Sequence, residues 1–170
     1  MADLLELPAT PATGVRATTR SAPGHLAIDL DVSPEAVPIT RSIVCAHLKL
    51  WGVAGLSDRV ALTVSELLAN VLRHTRPAPR TGAKSAQLTV TRLSEAVNVC
   101  VRDFDPVLPK LAYLTDDAEH GRGLHLVMAY ADDFGCSPHH GGKDMWANFL
   151  IGARQTATAE THPGGPEDVR

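Results

Sequence analysis

Ala61-Leu62-Thr63-Val64-Ser65-Glu66-Leu67-Leu68-Ala69-Asn70-Val71-Leu72-Arg73-His74 is the stretch on which the fold of this chain turns. Leu67, Leu68, Val71 and Leu72 recur at the spacing of one apolar helix face, which predicts an amphipathic helix. Residues four apart on a helix are neighbours, so Glu66 and Asn70 project together. A carboxylate beside a neutral oxygen donor suits a site where a hydroxyl is activated next to a hard, oxygen-liking cation such as Mg2+. The same pair also reads as a solvated polar stripe on an exposed helix. The surrounding sequence has to choose between them.

Working outward, Gly52 and Gly55 mark a turn before this helix, with Ser57 or Asp58 as its cap, and Pro77 lies beyond its end. Upstream, Ser33 as N-cap and Pro34 at the first helical position predict another helix reaching about Trp51. Before it, residues 25–32 alternate apolar and polar as a half-buried strand does. Downstream, residues 76–84 form a Pro, Gly and basic loop, and residues 86–93 and 97–103 alternate cleanly as an antiparallel pair. The pattern breaks over residues 104–120, a loop containing Pro106 and Pro109 of the kind that often serves as a functional lid. Gly121-Arg122-Gly123 then opens a helix over residues 124–131, closed by Gly135, and residues 134–137 and 145–151 are the last strands. This order predicts an α+β fold, a two-layer α/β sandwich with helices on one face of a mostly antiparallel sheet. Residues 1–23 and 154–170, rich in Pro, Gly, Thr and Ala, are expected as disordered tails around one domain at 24–153.

With 170 residues, the chain has room for one domain and a sizeable core. Its hydrophobic fraction of 44% excludes a largely disordered chain, and 4% aromatic residues leave the packing to aliphatic side chains. A net charge of -3 without a Lys/Arg cluster argues against direct nucleic-acid binding. Cys45, Cys100 and Cys136 lack the spacing of a zinc or redox site and read as reduced thiols of a cytoplasmic protein. Residues 1–23 do not form a signal peptide, and no run approaches the roughly 18 to 20 apolar residues that span a bilayer, so no membrane is expected.

Two features downstream of Glu66 and Asn70 bear on chemistry. A glycine-rich start to a helix presents unpaired N–H groups and the positive end of the dipole, so Gly121-Arg122-Gly123 reads as a phosphate site or as a plain turn. Asp103 ends a strand where the sheet opens, and reads either as an acceptor for the exocyclic amine of adenine or as a surface turn residue. Arg73 and His74, just beyond Asn70, read as a solvated helix end or as contacts to a phosphate or a partner. His139-His140 lacks a third ligand for a metal, and Trp51 and Trp146 read as core or dimer-interface packing.

In this order, the segments 64–74 and 119–127, with Asp103 between them and Ala131, Asp132 and Gly135 after them, resemble the GHKL ATPase superfamily, which includes the histidine kinases. Within it the chain looks most like the anti-sigma-factor serine/threonine kinases of the actinobacterial type, over roughly residues 25–151. The resemblance implies that Asn70 ligates Mg2+ bridging the phosphates of ATP and that Glu66 is the general base for the acceptor hydroxyl. It implies too that Asp103 reads adenine, while Gly121, Arg122 and Gly123 hold phosphate under a lid. The implied reaction transfers the terminal phosphoryl group of ATP to a serine or threonine of a small antagonist protein, and the implied partners are that antagonist, a sigma factor and a second copy of the chain. Two departures stand out. The second box of the family commonly reads Asp-x-Gly-x-Gly, whereas this chain reads Asp103-Phe104-Asp105-Pro106-Val107. The Thr that often follows Gly in the last strand is absent, and Asp144 is expected in its place. These departures motivate an alternative, a non-catalytic partner-binding regulatory module of the same fold with weak or lost nucleotide binding. ATP hydrolysis coupled to a conformational change is a third reading, disfavoured by the lack of a second domain to move.

Overall fold

A computed structural model describes residues 15–78, 81–108 and 122–152. Among these residues six strands form one antiparallel sheet: β1 (Ala17–Ala22), β2 (His25–Asp31), β3 (Ser85–Arg92), β4 (Ala96–Asp103), β5 (Asp133–His139) and β6 (Gly142–Leu150), in the order β1-β2-β3-β4-β6-β5. Three helices, α1 (Ala36–Leu50), α2 (Ser57–His74) and α3 (Arg122–Tyr130), pack as a layer on one face. This is the expected α+β sandwich.

Alternation decides which face the helices cover. Leu26, Ile28 and Leu30 of β2, Leu88 and Val90 of β3, and Val97, Val99 and Val101 of β4 are buried beneath the helices, together with Met145, Ala147 and Phe149 of β6. Each of these Leu, Ile, Val, Met and Phe side chains contributes about 1.5–3 kcal/mol by leaving water. The opposite face carries paired polar side chains instead: Gln87 donates to Asp29 at 2.7 Å, Asn98 to Asn148 at 2.8 Å, and Arg102 forks onto Asp144 with two bonds of 2.7 Å. The β4–β6 register sets Val97 against Phe149, Val99 against Ala147, Val101 against Met145 and Asp103 against Lys143. Among the described residues, no helix is long and apolar enough to cross a membrane.

Several boundaries differ from expectation. Residues 17–22, expected within a disordered tail, form the edge strand β1, joined to β2 through Pro23 and Gly24, the latter at φ +70. Proline presets the first position of such a turn and glycine supplies the positive φ of the second. Helix α1 starts at Ala36, not at Pro34: the Ser33 hydroxyl accepts the Ala36 N–H at 3.2 Å while Pro34 and Glu35 form a turn. Pro38 falls in the first helical turn, where its missing N–H breaks no helical bond. Neither Ser57 nor Asp58 caps α2, because a single 3-10 turn at Ala54–Leu56 runs directly into it. Asp58 instead places negative charge in the first turn, where the helix dipole favours it.

Gly135 does not close α3; it lies inside β5, opposite Trp146. A Cβ built there would fall 2.6 Å from Cε2 and 2.9 Å from Cη2 of the Trp146 indole, so only glycine lets the ring lie flat across the strand. The indole is rigid and cannot bend away as a flexible chain end would. Gly135→Ala is therefore expected to lower the unfolding free energy by about 1–3 kcal/mol, the usual cost of overpacking. Urea denaturation followed by Trp fluorescence measures it; an unchanged midpoint would show that the ring has room to move.

Candidate functional site

Helix α2 carries the first two site residues. Val60, Val64, Leu67, Leu68 and Val71 bury one of its faces, and Asn70 lies within that buried stripe at 7% exposure. Glu66 sits at its margin with 21% of its side chain exposed. The Asn70 amide nitrogen faces Met145 Sδ of β6 at 3.5 Å. That contact turns the carboxamide oxygen, the atom a hard cation takes, to the other side.

The Glu66 carboxylate meets the start of α3. A Cβ on Gly123 would collide with Glu66 Oε2, so the carboxylate tip rests against the glycine backbone in the first turn of that helix. Arg73 Nη2 lies 3.9 Å from the same oxygen. The far end of α3 is fixed by Arg59 of α2, which donates to the Tyr130 carbonyl at 2.7 Å and to Asp132 Oδ2 at 2.9 Å. A cation at a helix C-terminus satisfies orphan carbonyls and suits the dipole. The Arg59 guanidinium also lies 5.3 Å above the Phe149 ring. Arg59 thus ties α3 to α2 and, through them, Gly123 to Glu66.

Asp103 ends β4 on the core face and is fully buried. Its partner is Lys143, itself 2% exposed, whose ammonium donates to Asp103 Oδ1 at 3.0 Å and to the Asp105 carbonyl at 3.0 Å. Oδ2 lies 2.9 Å from the same ammonium but off the line of an N–H bond, so charge pairing holds it there. Oδ1 accepts a further bond from the Asp105 N–H at 3.0 Å. Asp105 in turn accepts the N–H of Val107 at 3.0 Å and that of Arg76, just beyond α2, at 3.1 Å. The Val107 N–H above all, then the Arg76 N–H and the charges of Lys143 and Arg76, hold the Asp105 carboxyl below the usual carboxylate range.

The structure brings Glu66 against Gly123, with Asn70 one turn further along α2 and against Met145. Asp103 stands at the end of β4 beside Asp105 and Lys143. Arg122 opens α3, and Gly121 lies outside the described residues, as does most of the expected lid. Asp144, expected where the family often has Thr, points to the opposite face and pairs with Arg102, which holds its carboxyl below the usual range. Alternation along β6 forces this: with Met145, Ala147 and Phe149 inward, residue 143 faces inward and residue 144 outward. Lys143 and Asp105 are the residues that the sequence reading missed. The parity of β6 carried the signal for Lys143, once the strand is extended two residues back from Met145.

A triphosphate and Mg2+ meet different receptions at the two ends of this region. At the α2–α3 end, a carboxylate, a carboxamide oxygen and a helix start floored by glycine suit phosphate and a hard cation. Among the described residues no three His, Cys, Asp or Glu side chains gather as a metal site, and Asn70 offers one neutral oxygen. At the β4 end the Asp103 carboxylate is already matched to an ammonium, and it does not fit as the acceptor for an adenine amine.

No curated protein matches the chain at a significant level. The family model of the histidine kinase-like ATPase domain matches residues 30–148, from β2 into β6. That span contains α2 with Glu66 and Asn70, the end of β4 and the start of α3, and the chain belongs to the histidine kinase-like ATPase domain family.

Proposed function

We propose that this protein is an ATP-dependent serine/threonine kinase of the anti-sigma-factor type, which binds a sigma factor and phosphorylates a small antagonist protein. One observation carries the reading: Glu66 and Asn70 lie one turn apart on α2, with the Glu66 carboxylate lodged against Gly123 at the start of α3. Family membership supports the ATP-directed part. In this reading Asn70 would hold Mg2+ through its carboxamide oxygen, and the N–H groups of the first turn of α3 would hold phosphate. Glu66 orients the acceptor hydroxyl and takes its proton. Bound ATP supplies the phosphoryl group. Phosphoryl transfer depends on positioning and charge neutralisation, so one oriented carboxylate, one cation and a helix dipole make a sufficient minimal set. Sigma factor, antagonist and a second copy of the chain are the partners of this proposal. A second reading, a partner-binding module with weakened or lost nucleotide binding, is favoured by the Lys143 ammonium on Asp103.

The test is phosphate transfer from labelled Mg-ATP to small single-domain antagonists encoded near the gene. The kinase reading expects label on one of them and a rate lowered about 100-fold or more in Glu66→Ala, within the range for general bases. Transfer unchanged in Glu66→Ala removes the assigned base. No label on any of them, with no heat on titrating Mg-ATP and sigma factor still bound, selects the module.

Gly123→Ala tests the contact itself. The atom that an added Cβ would meet is the far end of a flexible Glu side chain, so the carboxylate swings aside at little cost to folding. Stability is expected to change by no more than about 1 kcal/mol in thermal unfolding, the scale of a helical Gly-to-Ala exchange. Displacing a positioned group by about 1 Å is expected to slow transfer roughly 10- to 100-fold. Wild-type transfer in the folded variant would show that Glu66 works from elsewhere.

A further inference from the structure

An adenine amine read at Asp103 needs a carboxylate oxygen with a free lone pair and a path to it. Asp103 offers no path, since it is fully buried, and its charge is already matched: Oδ1 accepts from Lys143 and from the Asp105 N–H, and Oδ2, which accepts no hydrogen bond of its own, lies 2.9 Å from the same ammonium. Lys143 is equally committed, with Asp103 Oδ1, Asp103 Oδ2 and the Asp105 carbonyl all at 2.9–3.0 Å from its three-proton head. Its delivery is built into the backbone. Gly142 packs so tightly on the Asp103 carbonyl that a Cβ there would overlap it, which brings the start of β6 directly onto the end of β4. An ion-paired bond is roughly twice as strong as a neutral one, and a buried charge stripped of its partner is strongly unfavourable. A neutral purine amine cannot replace an ammonium on those terms.

We infer that Lys143 is the resident occupant of the base end of the site, so that Asp103 reads no purine in this chain. Whatever nucleotide the protein holds, it holds through phosphate and Mg2+ with no preference for adenine over guanine. The phosphate half of this statement rests on the nucleotide reading proposed above; the Lys143 half stands on the ion pair.

Calorimetric titration of the full chain with Mg-ATP, Mg-GTP and Mg-tripolyphosphate, repeated on Lys143→Thr, tests both halves separately. For the wild type the three dissociation constants are expected to agree within about threefold, or none of the three to bind. Lys143→Thr frees a carboxylate that attracts the amine of adenine and repels the carbonyl of guanine. It is expected to bind Mg-ATP at least tenfold more tightly than the wild type does, without an equal gain for Mg-GTP. A tenfold or greater preference for ATP over GTP in the wild type overturns the inference, as does a folded Lys143→Thr that gains nothing. If Lys143→Thr does not fold, the wild-type comparison decides alone: agreement or absence of binding supports the inference and an ATP preference overturns it. Failure of the phosphate reading is seen separately, as no response of the wild type to Mg-tripolyphosphate.

Discussion

The buried stripe of α2 is the constraint from which the site follows. Val60, Val64, Leu67, Leu68 and Val71 must face the sheet, and once they do the rotation of the helix about its axis is fixed. That rotation leaves Glu66 at the margin of the stripe and Asn70 within it, beside Met145. A helix turned by a single residue would expose the leucines and bury the carboxylate. The chemistry of the α2–α3 end is therefore held in place by hydrophobic packing, and Arg59 completes it by fixing α3 from the same helix.

At the other end, electrostatics replaces packing. Lys143 and Asp103 extend the inward rows of β6 and β4 where the next residues would ordinarily be apolar. Burying two ions costs several kcal/mol each in desolvation, so such a pair is poor evidence of stability by itself. Here the cost is offset by two hydrogen bonds from the ammonium, to Asp103 Oδ1 and the Asp105 carbonyl, and by the charge of Oδ2 at 2.9 Å. Loss of either partner alone would leave a bare buried charge, which typically costs about 3–5 kcal/mol. The same network reaches α2 through Asp105, whose carboxylate takes the Arg76 N–H just beyond the helix. The residue that stands where a family glycine is usual therefore ties the end of β4 to the exit of α2.

Much of this was legible in the sequence because it is periodic. Clean alternation gave β2, β3 and β4, and helical spacing gave α2 with its Glu66 and Asn70. What escaped lacks such a pattern. β1 is an edge strand of Ala, Thr, Arg and Ser whose only strong local cue is the Pro23-Gly24 turn after it, and its pairing with β2 supplies the rest. Lys143 escaped because a lysine is not expected on a core row, and Asp144 was misassigned for the same reason. The match to Asp103 is a property of register, set by β-sheet hydrogen bonds between segments 40 residues apart. Composition and local spacing carry no information about it.

Register also explains how Lys143 comes to meet Asp103. The β4–β6 ladder is anchored by Val97–Phe149, Val99–Ala147 and Val101–Met145, three inward pairs that fix the alignment before Asp103 and Lys143 meet. A slip by one residue would turn all of them outward, so hydrophobic burial fixes the parity of the pairing while the ladder hydrogen bonds and the match of side-chain sizes complete the register. The side chain at position 143 is then carried to Asp103 whatever it is, and its chemistry determines whether the carboxylate is open to a ligand or already neutralised. With Thr there the carboxylate would keep a free acceptor; with Lys it is spent inside the protein. The sheet supplies the geometry, and a single inward position at the start of β6 sets the charge that Asp103 meets.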